Sequence, residues 1–110
     1  MNAQEVMAAY NFQPQVLSLY EDCDFFPRHT PSGSYDAEDI RRLGEIAGLL
    51  GQVGLSREEA AQYLRSKEQG EGKCACRKML RRKRQELLAE VHSRERCISC
   101  LDEINHALGE

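Results

Sequence analysis

The sequence is defined first by what it lacks. No apolar run approaches the roughly 20 residues needed to cross a bilayer, and 41% hydrophobic with 30% charged residues is a globular composition, so a soluble protein with no membrane partner is expected. The opening Met-Asn-Ala-Gln-Glu has no basic stretch ahead of an apolar core. No secretory signal is therefore expected, and the expected compartment is the cytoplasm. There the five cysteines are expected to be reduced thiols or metal ligands. The chain has no Ser-His-Asp set, no paired carboxylates in a recognisable cleft and no Gly-rich phosphate loop, so no enzymatic chemistry is expected. A thiol redox enzyme using Cys97 and Cys100 is a weaker alternative, opposed by the lack of a βαβ pattern around that pair.

What is there is unevenly distributed. With 110 residues the chain has room for one compact domain and one long accessory element, not for two independent cores. Its net charge of −3 divides near residue 70. Residues 1 to 70 carry 6 basic and 11 acidic side chains, a net of −5, whereas residues 71 to 110 carry 9 and 7, a net of +2. Most of the second excess is one run, Lys73 to Arg84, with seven cations and no anion.

Residues 3 to 9 are helix formers and Asn11 is a plausible stop. Pro14 suits a first helical position, and Val16, Leu17, Leu19 and Tyr20 give an apolar face that runs to Glu21-Asp22. Two short helices so close together suggest a helix-turn-helix. Pro27, Pro31 and Gly33 punctuate a loop or small β excursion, after which Ser34 or Asp36 is placed to cap a helix. Ile40, Leu43, Ile46, Ala47 and Leu50 form the stripe of an amphipathic helix over 37 to 50, broken by Gly51 to Gly54. Ser56 and Glu59 form a capping box for a further helix, which leads into a hydrophilic linker.

From Cys76 to Leu108 there is neither proline nor glycine, which permits one helix of about 48 Å. Steps of four and three from Leu80 pass through Arg84, Leu87, Val91, Arg94, Ile98, Leu101, Asn105 and Leu108, so six of nine seam positions are apolar. A lone helix cannot bury such a seam, and a coiled-coil homodimer arm is expected. The alternative is a break near His92-Ser93 that folds a terminal helix back on the arm.

These elements carry a resemblance. Gln4-Glu5-Val6-Met7-Ala8, then Gln15-Val16-Leu17-Ser18-Leu19-Tyr20-Glu21 and the exit Phe25-Phe26-Pro27, resemble the opening of MerR-family transcription regulators. Ser32-Gly33-Ser34-Tyr35 with Asp36 to Ile40 resembles that family's wing and following helix, and Gly54-Leu55-Ser56-Arg57-Glu58-Glu59-Ala60 resembles its G-x-S-x-E-E-I segment. The resemblance covers residues 2 to 65 closely and the arm only in kind. It implies a mainly all-α chain with a winged helix-turn-helix domain over 1–66, a linker over 67–75, and an antiparallel coiled-coil dimerisation arm over 76–110. It also implies a dimeric regulator binding promoter duplex DNA. Gln15 and Ser18 stand where the family has arginines, Leu19 stands where it has a tyrosine, and the wing lacks two residues. The expected DNA-binding residues are Gln13 and Gln15 on base edges, Ser18, Tyr20 and Arg28 on phosphates, and Arg41 and Arg42 beside them. The competing reading is that these side chains merely solvate a helix face, in a MerR-like module that has lost DNA binding and modulates a chaperone or another regulator.

Cys74 and Cys76, with Cys97 and Cys100, form C-x-C and C-x-x-C pairs that resemble zinc or soft-metal ligation. Along one straight helix the pairs lie about 32 Å apart and cannot share an ion. In antiparallel arms crossing near Leu87, Cys76 of one chain approaches Cys97 or Cys100 of the other, so metal or thiol-oxidant sensing is the expected role. The plain alternative is Cys97 in the seam as a small hydrophobe. Cys23, among apolar neighbours, is expected in the core. The run from Arg77 to Arg84 is read as a solvated face, a phosphate contact, or a dock for an acidic protein partner.

Overall fold

The computed structural model describes residues 1–70 and 72–109 and divides into two units, Met1–Cys76 and Arg77–Glu110. Among the described residues the chain is mainly helical and no strand forms. No helix is long and apolar enough to cross a membrane.

Helix α1, Ala3–Tyr10, opens on a capping box in which Asn2 accepts from the Glu5 backbone and Glu5 accepts from the Asn2 backbone. It ends at Asn11, whose left-handed φ of 59° asparagine tolerates at low cost. Helix α2, Pro14–Asp22, follows after three residues, with proline at its first position, where no backbone N–H is missed. Its apolar face, Val16, Leu17, Leu19 and Tyr20, is buried, and Cys23 beyond its end is buried with it. The loop after Pro27 turns at Gly33, whose φ of 82° is the left-handed region. The expected β excursion reduces to one antiparallel bridge, Asn2 with Ser34, in which the Tyr35 N–H donates to the Met1 carbonyl at 2.8 Å.

Asp36, rather than Ser34, caps helix α3, Ala37–Ala47, in a reciprocal box with Asp39. The amphipathic stripe does not stay α-helical to Leu50. At Gly48–Gln52 the chain widens into a π-helical segment, and this extra residue in the turn moves Leu49 into the core while Leu50 is half-buried. Helix α4, Arg57–Glu68, opens on the expected Ser56–Glu59 box. Val6, Tyr20, Leu43, Ile46, Ala60 and Leu64 form the centre of the core that joins these elements.

Helix α5, Lys73–Gly109, is continuous through His92-Ser93, so the expected alternative of a break there is overturned. It starts three residues before Cys76, directly after Gly72, whose φ of 107° lies outside helical space. Residues 73–75, expected as linker, are helical, and Cys76, whose Sγ donates to the Tyr63 carbonyl at 3.7 Å, belongs to the first unit. Beyond it α5 buries no side chain: Leu80, Leu87, Val91, Ile98, Leu101, Ile104 and Leu108 are all exposed.

Candidate nucleic-acid interface

A short helix that enters from a tight turn can offer its first residues to a ligand only if they are not spent on the fold. At the start of α2, Gln13 occupies the cap position, yet its side chain makes no capping hydrogen bond. Gln13, Gln15 and Ser18 are exposed, while the alternating positions Val16, Leu17 and Leu19 anchor the helix to the core. The two amides also line a cleft of about 130 Å³ with Asn11, Phe12, Ala47 and Leu50, so the π-helical segment borders the same face. Amides and hydroxyls on an exposed first turn and a half suit hydrogen bonding to base edges and phosphates.

The other expected contacts are placed differently. Tyr20 is fully buried, and its hydroxyl donates to Asp39 Oδ1 at 2.5 Å. Burial, and then the hydrogen bond to Asp39, push its pKa up to about 12, so the phenol stays protonated as a structural donor. Arg42 is buried too, with Nη1 donating to the Pro27 carbonyl at 3.1 Å and to the Tyr20 hydroxyl at 3.3 Å. Its guanidinium stacks over Phe26 at 5.1 Å. Arg28 donates to Glu21 at 3.0 Å and to the Ser34 carbonyl at 2.8 Å, and its Nε lies 3.4 Å from Asp39 Oδ1. It also lies over the ring of Tyr20 at 4.7 Å. Tyr20, Arg28 and Arg42 therefore hold α2, the loop and α3 together, and phosphate contact by them is not available without breaking this network. Arg41 is exposed, 63% at the side chain, and carries a surface pair with Glu38 at 2.6 Å that costs little to exchange for another anion.

Two carboxylates that periodicity does not single out organise this network. Burial by itself raises Glu21, but hydrogen bonds from Tyr35, Ser32 and Arg28 outweigh it and hold the carboxyl at about 2. Asp39 is likewise penalised by burial. Donation from Tyr20, the Asp36 backbone and Thr30 nevertheless keeps it well below the usual carboxylate range. The signal in the sequence was the company of Arg28 and Arg42, which inside a domain need such partners.

The cysteines do not converge. Cys76 is buried against Tyr63, Cys74 is exposed on the turn before it, and Cys97 and Cys100 are exposed one helical turn apart. No group of three or more His, Cys, Asp or Glu side chains that could hold a metal ion forms among the described residues, so a single chain supplies at most a pair of thiolates. Cys23 is buried as expected and lines a cleft of about 180 Å³ with Leu19, Phe25, Arg57 and Arg65. Burial pushes its thiol up, which disfavours the thiolate. No family model, no curated protein and no solved structure matches this chain.

Proposed function

We propose that the chain is a dimeric DNA-binding transcription regulator of MerR-like design, in which α1 and α2 form a helix-turn-helix, the loop at Gly33 a reduced wing, and α5 an antiparallel coiled-coil arm. The observation that carries this is the exposed set Gln13, Gln15 and Ser18 on the opening turns of a helix whose other face is locked into the core. Amide side chains there read adenine edges in a major groove, and Ser18 with Arg41 holds the backbone. The effector side of the same proposal is a soft metal or a thiol oxidant acting at Cys97 and Cys100, completed for a metal by thiols of a second protomer.

A second reading is favoured by the way Arg28 and Arg42 are absorbed internally. With those two cations unavailable, a unit of net charge −5 attracts phosphate weakly, which suits a protein-interaction module that engages a chaperone or another regulator. Salt-dependent binding to random duplex separates the readings. The DNA proposal expects association at about 50 mM salt that weakens steeply by about 200 mM. No association at the lower salt would sink it and leave the interaction module.

A further inference from the structure

Of the seven cations between Lys73 and Arg84, four share one side of α5. At about 100° per residue, Arg77, Arg81, Lys78 and Arg82 fall within an arc of about 140°, and the arc's centre lies about 130° from the stripe of Leu80, Leu87, Val91 and Ile98. All four are exposed, and among the described residues no carboxylate lies within ion-pair distance of them. The cation of the run that does pair, Lys83 with Glu86 at 3.8 Å, lies outside this arc. The helix thus carries an uncovered apolar stripe, interrupted by Arg84, on one side and four unneutralised cations on the other.

We propose that Arg77, Lys78, Arg81 and Arg82 form a second nucleic-acid contact that grips the sugar-phosphate backbone without reading sequence. The inference rests on the DNA-binding proposal and assigns to the arm the phosphate contacts that Arg28 and Arg42, spent on the fold, do not supply. Three of the four are arginines, whose planar guanidinium pairs with two phosphate oxygens at once. They span about 7.5 Å of helix axis, over which one strand of a duplex rises by about two nucleotides. Between Arg77 and Gln85 the arc carries no aromatic or aliphatic side chain. A protein partner would need such an anchor to bind tightly, whereas phosphates need only donors. When the apolar stripe is covered by a second copy, the cationic arc is left facing outward.

The test uses the full chain and random-sequence duplex DNA, titrated from about 50 to 200 mM salt. The variant Arg77→Gln, Lys78→Gln, Arg81→Gln, Arg82→Gln keeps helix-forming residues at every position. It is expected to bind at least about tenfold more weakly at the lower salt. The magnitude of its log-log salt slope should fall by about 2 to 4, close to one unit for each phosphate that the arm no longer neutralises. A companion variant, Arg77→Lys, Arg81→Lys, Arg82→Lys, should retain most of the slope, and circular dichroism should show α5 intact in both. Gln13→Ala with Gln15→Ala should leave the slope unchanged. If the wild type binds duplex and the glutamine variant binds with the same affinity and slope, this inference fails while the DNA proposal stands. If the wild type does not bind duplex at all, the DNA proposal itself fails. Binding of polyglutamate as tight as binding of duplex at equal charge concentration would overturn the nucleic-acid assignment in favour of an acidic protein partner.

Discussion

Replacing Asp39 by asparagine is expected to lower the stability of the N-terminal unit by about 3 kcal/mol, because the charge that Arg28 and three donors share is removed while the donors stay. Oδ1 accepts from Tyr20 and faces Arg28 Nε, and Oδ2 accepts from Thr30 and the Asp36 backbone. An amide group replaces one of those oxygens with a donor, so at least one donor-to-donor contact results whichever way it turns. The Nε of Arg42 is already buried without an acceptor among the described residues, so the site holds no slack to absorb a second defect. For a unit of this size the loss is a large part of the total, and the melting temperature should fall by about 12 to 24 °C. Glu38→Gln, at the neighbouring, solvent-facing position, is the comparison, with an expected change within about 0.5 kcal/mol. A melting temperature for Asp39→Asn no lower than that of Glu38→Gln would contradict this account. Acid should mimic the mutation. Glu21 and Asp39 both have depressed native values, so their stabilisation is complete above the unfolded carboxylate range and is lost as the pH falls through their native values. For Glu21 the drop from the ordinary 4.5 to about 2 corresponds to about 3 kcal/mol that disappears over that window. Unfolding of the unit by acid, followed by tyrosine absorbance, should therefore begin below about pH 4.5 and steepen toward pH 2.

Helix starts were legible in the sequence wherever a local device makes them. Asn11 as a stop, Pro14 at a first position and Ser56 with Glu59 each act through one or two backbone groups, and the structure uses all of them as read. The unit boundary was legible only coarsely. Gly70 and Gly72 mark the break between helices, but the contact of Cys76 with Tyr63 is tertiary and leaves no trace in spacing. Helix α3 shows a different failure. Counting apolar positions skips charged ones, so it gives no sign that Asp39 and Arg42, three residues apart, lie on the buried edge. Burial of a charge depends on partners from α2 and from the loop, which only the folded chain brings together. The same cause moves Arg28, Arg42 and Tyr20 from the candidate interface into the framework behind it, while Gln13, Gln15, Ser18 and Arg41 stay on the surface. The two arginines next to each other at 41 and 42 thus have opposite roles, one exposed and one a pin through the core.

The other large effect concerns α5. A helix of 37 residues that leaves Leu101 65% and Leu108 82% exposed has hydrophobic surface to bury, and nothing among the described residues buries it. A second copy is the proposed cover, and the substitution Leu101→Asp tests it. Each Leu or Val withdrawn from water contributes about 1.5 to 3 kcal/mol, and one substitution acts twice in a homodimer. The dimer should lose about 3 to 6 kcal/mol, which raises its dissociation constant on the order of a hundredfold to ten-thousandfold. Sedimentation at micromolar concentration should then show monomer for Leu101→Asp and dimer for the parent chain. Helicity should fall along with association, since a long helix of this composition has little stability without tertiary packing. Gln85→Asp, on the side away from the stripe, controls for added charge and should leave the dimer intact. Arg94 and Asn105 interrupt the seam, and in an antiparallel pair such polar positions fix register at a cost in affinity. Arg94→Leu should therefore tighten the dimer while allowing more than one register, visible as broadened exchange in the arm. A parent chain that sediments as monomer at every accessible concentration, with α5 fully helical, would remove the dimer from this account.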